Sequence, residues 1–327
     1  MPCFNASAFI SEAIVSIKNQ EHENWELLIM DDCSTDDTIS IASSFAKKDE
    51  RIKIYPSAEN KGVSFQMNKG IANANGKYVC RMDSDDVSDE KRIKQQLGFM
   101  EKFTDVSICT TDYKMFFSDS SQASKFVHAP VEDADLKTAL MKDLPVCGPS
   151  FFARKEIIKD FLFNESLVIG EDYDLFCRMA CEYKIANLPV VLYNYRKHGK
   201  SITDNPDHWK NNKNEFTRKK YLQSAGIKME EPDYNFFVDF MYAKTNYRVN
   251  KEFFNKLKKI RAYFSGNHFF EKGSVDRFFR QCLQNYLLAT KDYAFGVFTN
   301  LLKDYPAAFF QASFKDRLRI ILRSFHA

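Results

Sequence analysis

The sequence predicts an α/β fold with a mostly parallel sheet, followed by a helical C-terminal region. Helical and extended patterns alternate over residues 1–110, which is typical of βαβ units. The short apolar run at 25–30 is nearly continuous, as expected of a strand buried on both faces of a parallel sheet, and the short run at 77–82 also indicates a buried strand. Residues 215–327 have helical patterning and are rich in phenylalanine.

The predicted elements follow from apolar spacing and capping residues. In chain order they are a helix at 7–20, a strand at 25–30, a helix at 36–47, a strand at 51–55, a helix around 63–71, a strand at 77–82, a helix at 89–103, a strand at 106–111, an extended segment at 147–153, a helix at 171–183 and a strand within 185–195. Polar composition around 200–214 predicts a boundary there, which gives domains at 1–204 and 205–327.

Composition excludes several classes of protein. A net charge of +3 on 327 residues, without a basic stripe, argues against a nucleic-acid binder. The eight cysteines are dispersed without a CxxC pair, which fits a reducing cytosol. No signal peptide and no apolar run near the ~20 residues of a membrane span are found, so the sequence predicts a cytoplasmic protein.

The strongest local signal is residues 83–86, which read Asp-Ser-Asp-Asp directly after the strand at 77–82. Carboxylates this close raise one another's pKa unless a cation or buried donors lie among them. Mg²⁺ typically takes one or two carboxylates plus substrate phosphates, and open α/β sheets bind ligands beyond the carboxyl ends of their strands. The alternative is a surface turn before a helix, because Ser-Asp-Glu at 88–90 is good capping chemistry.

Six segments in a fixed order resemble the family 2 glycosyltransferases of GT-A fold. They are residues 1–5 (Met-Pro-Cys-Phe-Asn), 31–36 (Asp-Asp-Cys-Ser-Thr-Asp), 60–62 (Asn-Lys-Gly), 83–86, 170–175 (Gly-Glu-Asp-Tyr-Asp-Leu) and 195–201 (Tyr-Arg-Lys-His-Gly-Lys-Ser). The likeness covers roughly 1–203 and leaves the C-terminal third uncovered. It implies a Rossmann-like nucleotide-diphospho-sugar transferase fold, with sugar transfer from a nucleotide diphosphate and inversion at the anomeric carbon.

The resemblance implies donor-binding roles for residues near the N-terminus. Phe4 stands where the family usually has a tyrosine beside the donor base, with an ordinary core phenylalanine as the alternative. Asp32 matches a carboxylate that accepts a hydrogen bond from the base, which favours uracil; a turn-forming aspartate is the alternative. The other donor-binding candidates are Pro2, Asn5, Lys61, Asp83 and Ser84.

The resemblance also implies a divalent metal, Mn²⁺ or Mg²⁺. Asp85 is the expected ligand of the cation that holds the diphosphate, and such a cation stabilises charge on the departing group. His198 matches a histidine that completes the metal shell in some members, and imidazole suits Mn²⁺ better than Mg²⁺. The alternative for His198 is a histidine that only positions its loop.

Asp172 is the candidate catalytic base. Inverting transfer needs one group to take the proton of the acceptor hydroxyl as that oxygen attacks. Glu171 and Asp172 stand at a predicted helix start, where the dipole favours ionised carboxylates; the alternative is that both only cap the helix. We expect Glu171 on the acceptor side, together with Gly148, where a missing side chain permits close backbone approach to a sugar.

Two departures from the family pattern stand out. The family's first strand precedes the Pro-x-aromatic-Asn turn, whereas here Met1 begins at that turn, so we expect a truncated first strand and a true start upstream. Residues 66–68 read Gln-Met-Asn where an arginine often precedes the asparagine. A donor contact is therefore expected to be missing, or to come from Lys61 or Lys69.

The chain's end, 312–327, has the pattern of a basic amphipathic helix. Its apolar stripe is Phe314, Leu318, Ile321, Leu322 and Phe325, beside Lys315, Arg319 and Arg323. Such a helix can lie on an anionic membrane surface, and packing on preceding helices is the alternative. The sequence thus predicts a hexosyltransferase that moves sugar from a UDP-sugar to a saccharide or lipid-linked acceptor for polysaccharide biosynthesis, peripheral on the cytoplasmic face of the inner membrane.

Two other functions stay open from sequence. One is a catalytically impaired protein of the same fold that binds a donor or a partner. The other is an NDP-sugar nucleotidyltransferase, although residues 2–7 lack the Gly-rich phosphate loop that this class needs after its first strand.

Overall fold

A computed structural model describes residues 1–118, 122–199, 213–290 and 297–325. The chain divides into two compact units. The N-terminal unit comprises Met1–Leu136 and Asp143–Arg218, and the C-terminal unit comprises Lys137–Lys142 and Lys219–Ala327. The domain boundary predicted at 204/205 lies outside the described residues.

The secondary structure alternates as the pattern predicted. The strands are β1 (Pro2–Cys3), β2 (Leu27–Asp31), β3 (Ile52–Pro56), β4 (Tyr78–Cys80), β5 (Val87–Ser88), β6 (Val106–Phe117), β7 (Lys125–Val127), β8 (Phe152–Arg154) and β9 (Lys184–Lys197). The helices are α1 (Ile10–Lys18), α2 (Thr38–Ala46), α3 (Val63–Asn73), α4 (Arg92–Lys102), α5 (Asp133–Ala139), α6 (Lys155–Ile158), α7 (Glu171–Glu182), α8 (Lys213–Ser224), α9 (Glu231–Met241), α10 (Lys251–Phe264), α11 (Lys272–Ala289), α12 (Val297–Asp304), α13 (Pro306–Phe310) and α14 (Phe314–Phe325).

The strands form two sheets. The first is parallel with order β1-β2-β3, and Leu27–Asp31 lies in register with Ile52–Pro56. The second has order β4-β8-β6-β9-β5, with β7 against β6. In it β6 and β9 are parallel, while β4, β5, β7 and β8 pair antiparallel with their neighbours. The predicted α/β fold with a helical C-terminal region is confirmed, and antiparallel pairing is concentrated in the second sheet.

Burial explains the local patterns. All five residues of β2 are buried, which accounts for its nearly continuous apolar run. Helix α1 buries Ile10, Ala13, Ile14 and Ile17, at spacings of three and four, in the cluster that contains Leu27 and Ile29. Each of the three isoleucine side chains contributes about 1.5–3 kcal/mol by leaving water. This core holds β1 and β2 in place, so that the loops at their carboxyl ends are fixed.

One predicted segment differs in the structure. Residues 147–153 were expected to be extended, but Gly148–Ser150 is a turn of 3₁₀ helix, and only Phe152–Arg154 is a strand. Pro149 explains the difference, because its ring fixes φ near the helical value at the start of a turn. The turn places Gly148 beside the first turn of α7.

The C-terminal unit is helical and its interior is aromatic. Rings of α9, α10 and α11 contact one another, as in the pairs Phe237–Phe279, Phe240–Phe253 and Phe264–Phe279, with centroids 5.9, 6.4 and 5.5 Å apart. The phenylalanine-rich composition is therefore core packing. None of the helices in the described ranges is long and apolar enough to cross a membrane.

Candidate active site

The loop at residues 83–86 follows β4 and faces β9. Its last carboxylate, Asp86, is buried and accepts hydrogen bonds from the Tyr193 hydroxyl at 2.7 Å and the Arg196 backbone N–H at 2.7 Å. Burial, followed by the charges of Asp85 and Asp83, raises the pKa of Asp86 well above its usual range. Asp86 therefore fixes the loop on β9, whereas Asp83 and Asp85 are only partly buried.

Asp85 and His198 lie together. The Asp85 Oδ2 is 3.0 Å from the His198 Nε2, and the Asp85 side chain is 32% exposed. The Phe9 ring contacts the imidazole with centroids 4.6 Å apart, and Arg196 Nε donates to the Asp85 carbonyl at 2.7 Å. Burial, with the nearby charge of Asp83, raises the pKa of Asp85. The structure thus brings together the two residues that the sequence predicts as metal ligands.

The donor set of this pair fits a divalent cation whose other ligands come from a substrate. A carboxylate oxygen and an imidazole nitrogen suit Mn²⁺, and two protein ligands leave positions for diphosphate oxygens. Within the described part of the chain, no group of three or more His, Cys, Asp or Glu side chains could hold a metal alone. Lys200 and Ser201, the end of the last sequence motif, lie outside the described residues.

Arg81 joins two acidic groups beneath this loop. Its Nε and Nη2 donate to the two carboxylate oxygens of Asp83 at 2.8 and 3.2 Å, and its Nη1 lies 3.5 Å from the Glu171 Oε1. Arg81 is not among the residues predicted from sequence. The available signal was an arginine inside an apolar run, two residues before Asp83. A buried cation here offsets the repulsion among the carboxylates.

Asp172 lies in the first turn of α7, directly after Glu171. Its Oδ1 accepts the Tyr173 backbone N–H at 2.8 Å. A Cβ atom added to Gly148 would lie 2.0 Å from the Asp172 Oδ2, so only glycine fits there with the carboxylate in this position. The Asp172 carboxylate therefore lies against the Gly148 backbone, where the sequence predicts close approach of a sugar.

The electrostatics of this turn are set by burial. Burial, followed by the charge of Asp172, raises the pKa of Glu171 to about 7. Burial also raises the pKa of Asp172, against the opposing charge of Arg81. The helix dipole that favours ionised carboxylates is thus outweighed at both positions, and a carboxylate with raised basicity is better suited to accept a proton at neutral pH.

Asp32 is buried in the loop after β2 and is surrounded by donors. Its Oδ1 accepts the Lys61 backbone N–H at 2.8 Å and the Gln66 Nε2 at 2.7 Å, and its Oδ2 accepts the Gly62 backbone N–H at 2.8 Å. The side-chain amide of Gln66 therefore helps to hold Asp32 in place. The Lys61 ammonium pairs with Glu59 at 2.8 Å, so the contact of Lys61 with Asp32 is made by its backbone.

The turn after β1 has a strained residue. Asn5 has φ of 48°, its Oδ1 accepts the Thr35 backbone N–H at 2.9 Å, and its own N–H donates to the Ser34 Oγ at 2.9 Å. Asparagine tolerates this left-handed conformation better than most residues. The neighbouring Phe4 is 50% exposed and is therefore not a core residue. Pro2 is buried in β1, and Ser84 is partly buried in the loop after β4.

The chain matches known proteins over its N-terminal part. Residues 1–162 match the family described as Glycosyl transferase family 2. The chain is 37% identical over 129 residues to TuaG of Bacillus subtilis, named for teichuronic acid biosynthesis, which covers 39% of this chain and 51% of TuaG. It is 32% identical over 203 residues to an uncharacterized glycosyltransferase of Rickettsia conorii, which covers 62% of this chain and 33% of that protein. The chain thus spans between about a third and about half of these curated relatives.

Solved structures show the same fold. The crystal structure of S. aureus TarS 1-349 in complex with UDP has a TM-score of 0.54 and 16% identity, and the match covers 99% of this chain and 86% of that chain. The complex of the same protein with UDP-GlcNAc has a TM-score of 0.52 and 17% identity, covering 98% and 77%.

Proposed function

Because the chain belongs to glycosyl transferase family 2 through residues 1–162, we propose that it is an inverting hexosyltransferase acting on a nucleotide-sugar donor. We assign this activity to residues 1–204. The observation that carries the proposal is the arrangement around Arg81, where the donor-side Asp83 and the acceptor-side Glu171 meet on one buried cation, next to Asp172.

In the proposed reaction Asp172 accepts the proton of an acceptor hydroxyl. The hydroxyl oxygen forms a bond to the anomeric carbon of the sugar as the bond from that carbon to the diphosphate oxygen breaks, and the nucleoside diphosphate leaves with the electron pair. The raised pKa of Asp172 supports this role, because a more basic carboxylate takes a proton more readily. Glu171, the preceding residue of the same helix turn, would contact the acceptor.

Donor binding falls to three places in the N-terminal unit. Phe4, half-exposed after β1, offers a face for the base, and Asp32 with Lys61 shapes the neighbouring loop. Asp85 and His198 would hold Mn²⁺ or Mg²⁺, and the ion would supply charge stabilisation for the departing diphosphate. The loop bearing Asp83 and Ser84 lies beside this pair, at the ribose and diphosphate end of the donor.

We take the donor to be a UDP-sugar and the acceptor to be a saccharide or a lipid-linked glycan of the cell envelope. The support is the fold shared with TarS, which was solved with UDP and UDP-GlcNAc, and the likeness to TuaG, named for teichuronic acid biosynthesis.

A thermal-shift screen tests the donor. Nucleotide sugars are added with Mn²⁺, Mg²⁺ or EDTA, and a donor that binds the folded chain raises Tm by mass action. We expect a UDP-sugar to raise the Tm of the wild type only when the cation is present. In Asp85→Ala this cation-dependent rise in Tm should be lost. The hit is then incubated with envelope lipid or glycan extract, and release of UDP is measured. Equal stabilisation with and without cation in both proteins would contradict the metal role, and no UDP release would favour a donor-binding protein without activity.

We also propose membrane-surface contact through 312–327, on the cytoplasmic face of the inner membrane. Within α14, Ile320 is buried, while Leu318 is 45% exposed beside exposed Lys315 and Arg319. This outward face joins an apolar side chain to two cations, which suits anionic lipid headgroups. Flotation with anionic and neutral vesicles should show anionic binding that is lost when 312–327 is removed; unchanged flotation of the shortened chain defeats the idea.

A further inference from the structure

Arg81 is attached to three parts of the active site at once. Its side chain is 5% exposed and holds both oxygens of Asp83, while its third nitrogen faces Glu171. Its backbone N–H donates to the Phe151 carbonyl at 3.2 Å, and its carbonyl accepts Arg92 Nη2 at 2.9 Å. The donor loop, the start of α7 and the turn that contains Gly148 therefore share one buried residue.

The same segment is fixed a second time by Arg92. This arginine is fully buried, and its Nη2 also donates to the Pro149 carbonyl at 3.2 Å and the Phe151 carbonyl at 3.4 Å. The backbone beneath Arg81 is thus rigid, so the position of its guanidinium is determined by the fold. A rigidly held fork that binds one carboxylate bidentately defines where that carboxylate lies.

We propose that Arg81 is a positioning residue for sugar transfer, which holds the donor-side Asp83 and the base-bearing turn of α7 at a fixed separation. The inference rests on the proposed function. A lysine ammonium is a point charge and cannot bind both oxygens of Asp83 while also facing Glu171. Displacement of either partner by about 1 Å is enough to slow a reaction by about 10²-fold.

The first test compares Arg81→Lys with Arg154→Lys. Arg154 is also buried, on β8 beside β4, but it donates to the carbonyls of Val106 and Met100 rather than to an acid. We expect Arg81→Lys to lower kcat by about 10-fold or more and to raise the donor KM, with cooperative thermal unfolding retained. Arg154→Lys should change Tm while kcat and KM per folded molecule stay at wild-type values.

A second test leaves Arg81 unchanged, so its result does not depend on whether Arg81 variants fold. Asp83→Asn and Glu171→Gln are measured singly and together. Both carboxylates contact the same Arg81 guanidinium, so the effects of the two changes should be coupled. The fold-loss of kcat/KM in the double variant should differ from the product of the two single losses by about 3-fold or more.

The outcomes separate the two proposals. Wild-type kcat and KM in Arg81→Lys, or a loss no larger than the lost folded fraction, overturn the positioning role while the transfer activity stands. Multiplicative losses in the double variant do the same. A wild-type chain that binds no nucleotide sugar and releases no UDP overturns the proposed function, and the role of Arg81 with it.

Discussion

The loop after β2 and the first turn of α7 both carry carboxylates of the proposed site, but their surroundings differ. In the loop the carboxylates accept several hydrogen bonds, whereas in the helix turn burial dominates. Asp32 accepts three N–H groups at 2.7–2.8 Å. Its neighbour Asp36 accepts bonds from Ser7 and Thr38, and although burial opposes them, they lower the pKa of Asp36 to about 2. At α7, burial raises the pKa of both Glu171 and Asp172.

The difference lies in what surrounds the charge. Donors that point at a carboxylate favour its ionised form and occupy its lone pairs, so such a group anchors a loop. A carboxylate that is buried near another acid keeps its affinity for protons, which general-base catalysis requires. The contrast fits the proposed division of roles, in which Asp32 anchors a loop and Asp172 accepts the proton.

The largest expected effect is that of Asp172→Asn. An amide of the same shape cannot accept the proton, so kcat should fall by about 10²–10⁴-fold while donor affinity stays within about 3-fold of wild type. Steady-state kinetics and calorimetric donor binding measure the two. The matched control is Asp174→Asn in the same helix, where the carboxylate pairs with Arg178 at 2.8 Å; an equal loss of kcat in this control would refute the role of Asp172 as base.

Gly148→Ala should act through Asp172 without changing it. The new Cβ would lie 2.0 Å from the Asp172 Oδ2, so the carboxylate must move, and a displacement of this kind lowers kcat by about 10²-fold. The control is Gly98→Ala in α4, where no atom lies within 4 Å of the added Cβ. That change should raise stability by about 0.5–1 kcal/mol and leave kcat unchanged; wild-type turnover by Gly148→Ala would show that the position of Asp172 is not critical.

Asp32→Asn should reduce stability more than turnover. An amide has one acceptor oxygen, so at least one of the N–H groups of Gly62, Lys61 and Gln66 loses its partner, at about 1–3 kcal/mol. Chemical denaturation measures the change, and kcat at saturating donor should fall by less than about 10-fold. If Asp32→Asn were as stable as the wild type but lost as much kcat as Asp172→Asn, Asp32 would be acting in turnover and its anchoring role would be refuted.

The smallest expected effect is on the pH dependence of stability. The pKa of Glu171 is raised from 4.5 unfolded to about 7 folded, so the native state binds more protons between these values. Stability from this group is therefore fully present below about pH 4.5 and is lost as pH rises through about 7. Glu171→Gln cannot lose a proton, so the Tm of this variant relative to wild type should increase from pH 5 to pH 8. A Tm difference that is constant over this range would contradict a buried carboxyl group with a raised pKa.

Local sequence determined the elements and many of the candidate residues of the N-terminal unit. The apolar run of β2 and the apolar spacing of three and four in α1 show which side chains of each segment are buried. This holds whatever the partner, so the sequence pattern alone predicted both elements. Asp83 and Asp85 follow a strand and Asp172 lies at a helix start, and the resemblance to the family 2 glycosyltransferases supplied their expected roles.

Only the tertiary structure decided how those residues meet. The 3₁₀ turn at Gly148, the donors around Asp32 and the contacts of Arg81 with Asp83 and Glu171 join segments up to 90 residues apart. Such contacts depend on which faces of distant elements pack together, and no local period records that. The sequence by itself determined which chemical groups the site contains. The packing of α7 against the turn at Gly148 decided how strongly Glu171 and Asp172 hold a proton, because burial and neighbouring charge are properties of the assembled fold.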